Sequence, residues 1–196
     1  MIIGVTGSVC SGKTAAAKLF SRHWYSRIDA DEIGHNLIKK NSKAYGKIVR
    51  EFGNGILGKN SNIDRKKLGE IVFNDIKKLK KLNSIMHPLI INEIKNNIRK
   101  IKQECGNKAK IVLDAPLLLE TKAKNLVDKV IIVKCSNENI LKRNKKFTGR
   151  QIERILNNQM PLNEKLKYAD FVIDNNKDLK NLEKQVEDII QKLSQK

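Results

Sequence analysis

The segment Gly7-Ser8-Val9-Cys10-Ser11-Gly12-Lys13-Thr14 follows the apolar run Met1-Ile2-Ile3 and meets the G-x-x-x-x-G-K-[ST] template at every fixed position. Its glycines let the backbone curl so that successive N–H groups point inward as an anion nest, at the positive end of the helix that follows. Lys13 can reach the outer phosphates of a nucleoside triphosphate, and the Thr14 hydroxyl can take a place in a Mg²⁺ shell. Ala15-Ala16-Ala17-Lys18-Leu19-Phe20 reads as a strong helix opening directly from the loop. A plain Gly/Ser turn between a strand and a helix would leave Lys13 unexplained. Ser8, Val9, Cys10, Ser11, Gly12, Lys13 and Thr14 are therefore expected to bind the nucleotide.

That loop predicts a strand over residues 1–6 and a helix over 14–23. Further strand patterns lie at 27–29, 110–114, 130–133 and 171–175, separated by helical stretches. Strands alternating with helices call for a parallel sheet with right-handed crossovers, that is, an α/β fold of the P-loop NTPase type in three layers. Helical spacing dominates residues 32–101, in Ile33/Leu37/Ile38, Ile48/Val49/Phe52, Leu68/Ile71/Val72 and Ile90/Ile91/Ile94. This is too long for one crossover, so it reads as a mainly helical acceptor-binding insertion in a discontinuous core of residues 1–31 and 102–196. Helices are also expected over 139–145, over 148–158 with Thr148 as a cap, and at the end to about 193. Ligands belong at the carboxyl ends of the strands, where residues 7–14, Asp29 to Asp31, Asp114 and Asn175 fall.

A chain of 196 residues suits one α/β domain with room for an insertion. The net charge of +19 is carried mostly by 32 lysines, against 8 arginines, and is spread along the chain. It favours polyanionic substrates such as nucleotides without pointing to specific nucleic-acid binding. No window approaches a membrane span and no signal peptide is read, so no membrane association is expected. Cys10, Cys105 and Cys135 lack metal-ligand spacing and suggest no disulfide scaffold, so a cytoplasmic location fits. A monomer or a weak homo-oligomer is expected.

Phosphoryl transfer needs an acceptor hydroxyl held in line and a group that takes its proton, while Mg²⁺ and cations bear the developing charge. Asp31 is the expected base, with Asp29 as its near alternative; Asp31 could instead cap a helix beginning at Glu32. Asp114, ending an apolar strand, either holds Mg²⁺ through water or hydrogen-bonds the phosphate loop. Arg143, in a basic cluster, can close over a triphosphate, and Arg154 is a second cation on the next helix. His87, before Pro88, stands far from other histidines and cysteines and is no metal site. Asn144-Lys145-Lys146-Phe147 lacks the aspartate of a guanine-reading Asn-Lys-x-Asp, which argues against a GTPase. A small-molecule kinase is the natural reading; a nucleoside or nucleoside-monophosphate kinase is the alternative.

The chain resembles the dephospho-coenzyme A kinase family over nearly its full length. The resemblance is carried by residues 7–14; Ile28-Asp29-Ala30-Asp31-Glu32-Ile33 with His35; and Ile63-Asp64-Arg65 running to Leu68, Val72 and Phe73. It continues through Leu82-Asn83, His87-Pro88-Leu89-Ile90, Pro116-Leu117-Leu118-Leu119-Glu120, Arg154 with Gln159, and Ala169-Asp170-Phe171-Val172-Ile173-Asp174-Asn175. It implies transfer of the ATP γ-phosphate to the ribose 3′-hydroxyl of dephospho-coenzyme A, giving coenzyme A and ADP. It further implies Asp31 as base, Lys13 and Arg143 beside the phosphates, and a mobile lid over residues 141–157. Asp29, His35, Arg65, His87, Pro116 and Leu117 fall on the acceptor side, and the loop at Asn175 borders the adenine. Two departures stand out. Lys145 and Lys146 replace a second lid arginine, supplying its charge but not its planar fork; His35 stands where arginine is frequent.

Overall fold

The computed structural model describes residues 1–144 and 148–195, with nothing stated for the side chains of Asn107 and Arg150. β1 (Ile2–Gly7) is buried along its whole length, as a strand covered on both faces must be. The other strands are β2 (Ser26–Asp29), β3 (Ile111–Asp114), β4 (Lys129–Lys134) and β5 (Phe171–Asp174). All pair in parallel in the order β2-β3-β1-β4-β5, with β1 in the middle. The helices are α1 (Lys13–Arg22), α2 (Ala30–Leu37), α3 (Tyr45–Phe52), α4 (Arg65–Asn74) and α5 (Ile76–Cys105), then α6 (Asn137–Arg143), α7 (Gly149–Asn157), α8 (Leu162–Leu166) and α9 (Leu179–Ser194).

The chain divides into two compact units, Met1–Asp29 with Asn97–Lys196, and Ala30–Asn96. In the first, α1 and α9 lie on one face of the sheet. Ala16, Ala17 and Phe20 of α1 and Leu182, Val186 and Ile189 of α9 pack on Ile3, Val5, Val112, Ile131, Val133 and Ile173. Phe20 meets Tyr25 edge to face, centroids 5.6 Å apart. Gly4 points to the opposite face, as period-two alternation requires, and a Cβ there would strike Leu118 of the segment after β3. α8 packs against β4. The result is the α/β three-layer architecture expected of the sequence. In the second unit Ile33, Leu37, Ile48, Leu68, Val72, Met86 and Ile94 supply the buried stripes of α2 to α5. The segment between α3 and α4 closes as an antiparallel bridge between Leu57 and Ile63, and Asp64 then caps α4 through the N–H groups of Lys66 and Lys67.

Most boundaries fall within a few residues of expectation. The differences are local. α2 begins at Ala30, so Asp31 lies inside its first turn and is not the residue before a helix starting at Glu32. α5 continues through Pro88 as one 30-residue helix. α8 has no counterpart in the sequence reading, because five residues are too few to display a helical period.

Candidate active site

The turn from β1 into α1 is shaped by backbone conformations that place its amides. Cys10 (φ 56°) and Gly12 (φ 91°) are left-handed, and Gly7 has φ 156°. A Cβ on Gly7 would strike the Val133 carbonyl oxygen of β4 and come 2.7 Å from the Ser11 hydroxyl; one on Gly12 would strike Asn175 Nδ2. Glycine is therefore demanded at both positions. Gly12 caps α1 without any side-chain hydrogen bond, and the first turn of that helix carries no acidic residue. The first amides of a helix have no intrahelical partners, so this end is electrostatically open to an anion. Lys13 and Thr14 open the helix, Lys13 half-buried and Thr14 exposed.

Asn175 follows the last residue of β5 and is buried. Its Nδ2 donates to the Ser11 carbonyl at 2.8 Å, so the end of β5 holds the loop in shape. Arg143, the last residue of α6, donates from Nη1 to the Asn175 carbonyl at 2.8 Å and from Nη2 to the Lys177 carbonyl at 3.3 Å. Its Nη1 lies 3.9 Å from the position of a Gly12 Cβ, which places the guanidinium beside the phosphate loop. Burial pushes the Cys135 thiol up, against the opposing pull of the Arg143 charge. Val9 and Cys10 of the loop pack on Cys135, on Ile140 of α6 and on Ile152 of α7. Thr148 caps α7 in a reciprocal box with Gln151. Lys145 and Lys146, at the position of the second lid arginine, lie outside the described residues.

At the ends of β2 and β3, Asp29 and Asp114 are register partners. Arg27 is ion-paired with both, reaching Asp114 Oδ2 at 3.0 Å. Burial opposes the Arg27 charge, but the hydrogen bond to Asp114 and the two carboxylate charges outweigh it and raise its pKa further above the ordinary range. Sequence reasoning missed Arg27; its one signal was a cation in a short, weakly apolar strand. Among the described residues no three His, Cys, Asp or Glu side chains converge on a metal site. The donor set instead suits a hard cation that keeps its waters, with the Thr14 hydroxyl at the loop and the Asp114 carboxylate on the strand beside β1.

Pro116 sits two residues past β3. Its carbonyl accepts from the buried Thr6 hydroxyl at 3.1 Å and from Lys165 Nζ at 3.3 Å. Lys165, its side chain 1% exposed, also pairs with Glu120 at 3.0 Å, and Glu120 Oε1 accepts from the Met160 N–H. This network fixes the segment bearing Pro116 and Leu117. Thr6, Glu120 and Lys165 were not anticipated as its members, since their partners are remote in sequence. Asp31 and His35 are exposed on α2, Arg65 is exposed at the start of α4, and His87 is half-buried on α5, where burial lowers its pKa. Among the described residues no hydrogen bond or ion pair joins His35, Arg65 and His87 to one another.

Comparison with known proteins adds to this geometry. The family model described as dephospho-CoA kinase matches residues 1–181. A dephospho-CoA kinase of Fusobacterium nucleatum is 40% identical over 190 residues, covering 95% of each chain. One of Carboxydothermus hydrogenoformans is 39% identical over 194 residues, covering 97% of this chain and 93% of that one. Among solved structures, the dephospho-CoA kinase from Campylobacter jejuni superposes with a TM-score of 0.72 at 30% identity, covering 99% of this chain and 97% of that one.

Proposed function

This chain belongs to the dephospho-CoA kinase family and is an ATP-dependent kinase; from that premise we propose that it transfers the ATP γ-phosphate to the ribose 3′-hydroxyl of dephospho-CoA, giving CoA and ADP. The observation that carries the reading is the uncapped N-terminus of α1, opened by left-handed Cys10 and Gly12 at the carboxyl end of the central strand. The backbone of residues 8–14 holds the triphosphate, Lys13 carries charge to its outer phosphates, and Arg143 adds a guanidinium beside the loop. Asn175 supports the loop and lines the adenine side. Thr14 and Asp114 would hold Mg²⁺, which would neutralise phosphate charge. Asp31 takes the proton of the attacking hydroxyl, the new P–O bond forms to that oxygen, and ADP leaves with the electrons of the broken bond. Asp29, ion-paired with Arg27, is the near alternative for this role. His35, Arg65, His87, Pro116 and Leu117 serve the acceptor, and residues 141–157 act as a lid.

The test is a phosphorylation assay with ATP and Mg²⁺, offering dephospho-CoA beside adenosine and AMP, with products identified by mass. A product one phosphate heavier from dephospho-CoA alone supports the reading. Preferential labelling of adenosine or AMP would turn it to a nucleoside or nucleotide kinase.

A further inference from the structure

Arg27 stands in β2 at an alternating position, so it shares a sheet face with Asp29 two residues on. Asp29 in turn faces Asp114 in the parallel register of β2 and β3. Two carboxylates at adjacent strand ends, one of them nearly inaccessible, repel each other unless a cation stands with them. Arg27 supplies that cation from within β2, its Nη2 alone reaching a carboxylate oxygen of each aspartate. β2 is only four residues long and α2 begins at the very next residue, with Asp31 its second. The ion triad is therefore the last side-chain tie before the chain turns into the helix bearing the proposed base.

We propose that Arg27 is a positioning residue of the phosphoryl-transfer reaction: by bridging Asp29 and Asp114 it fixes the end of β2 and hence the start of the helix that presents Asp31. The inference rests on the proposed role of Asp31. Arg27 acts on the chemical step through these carboxylates; its ion-pair partners belong to β2 and β3 and not to residues 7–14, which supply the main grip on ATP.

Arg27→Gln and Arg27→Lys test this in the full chain, with kcat, the KM for each substrate, thermal stability and amide hydrogen exchange measured on each. The expected result for Arg27→Gln is a kcat about 10- to 100-fold lower, the loss that a displaced reacting group brings, with the KM for ATP within about twofold of the parent. Arg27→Lys, which keeps the charge on one nitrogen at the end of a different stem, is expected to recover part of that loss. Exchange at residues 28–33 should quicken in both while exchange at residues 8–14 stays as in the parent. A kcat within about twofold of the parent in folded Arg27→Gln overturns the proposal, as does a KM for ATP that rises in step with the loss of kcat. If Arg27→Gln does not fold, the same criteria applied to Arg27→Lys decide. The parent protein separates the two readings. Should it leave dephospho-CoA unphosphorylated, the proposed activity falls, and unchanged exchange at residues 28–33 in the variants would then overturn the role of Arg27 by itself.

Discussion

Lys13 and Asp31 make separable demands on the chemistry. Lys13→Ala removes a cation aimed at charge that develops during transfer, and turnover is expected to fall about 100- to 1000-fold; steady-state kinetics near the parent value would contradict the role. Asp31→Asn keeps the shape of the side chain but takes away the proton acceptor. Transfer should drop about 100-fold or more while equilibrium binding of ATP persists, and full activity would move the base elsewhere. The loop residues are legible in sequence because the template fixes types and spacing within eight consecutive positions. Arg27 is not legible in that way: its hydrogen bond to Asp114 spans 87 positions and exists only because β2 and β3 align in a particular register. Asn175 was legible as a residue at the end of the last strand, but not its grip on Ser11 from 164 positions away.

Short helices are stabilised here by different devices, and each has its own test. Thr148 and Gln151 satisfy one another's backbone donors at the start of α7, and this was readable locally from a threonine ahead of an amphipathic run. Thr148→Ala should cost about 1 kcal/mol, seen as amide exchange several-fold faster at residues 149–152. Unaltered exchange there would show that tertiary packing alone holds the helix. α8 depends on Lys165, whose ammonium is buried against Glu120 and the Pro116 carbonyl. Lys165→Met strands the Glu120 charge and is expected to destabilise the fold by about 3–5 kcal/mol, measured by denaturant unfolding. Adding Glu120→Gln should return part of that loss, whereas simple additivity of the two would mean that they do not act as a pair. No sequence period announces such a helix. Its anchor is a charge pair joining α8 to a segment 45 positions earlier, not an apolar stripe.

The whole chain carries a net charge of +19, and both proposed substrates are polyanions. Raising ionic strength from about 50 to about 200 mM should increase the KM for ATP and for the acceptor while leaving kcat much less affected. Salt-independent KM values would show that local contacts alone set affinity. The architecture was readable at this scale because apolar strands alternated with helical segments, and only a parallel sheet accommodates that order. Within the first unit, Val9 and Cys10, two of the four free positions of the phosphate template, pack on the cluster of Cys135, Ile140 and Ile152. An engineer who transplants this octapeptide into another kinase, or diversifies its unspecified letters, must therefore carry over the aliphatic cushion from α6 and α7 as well.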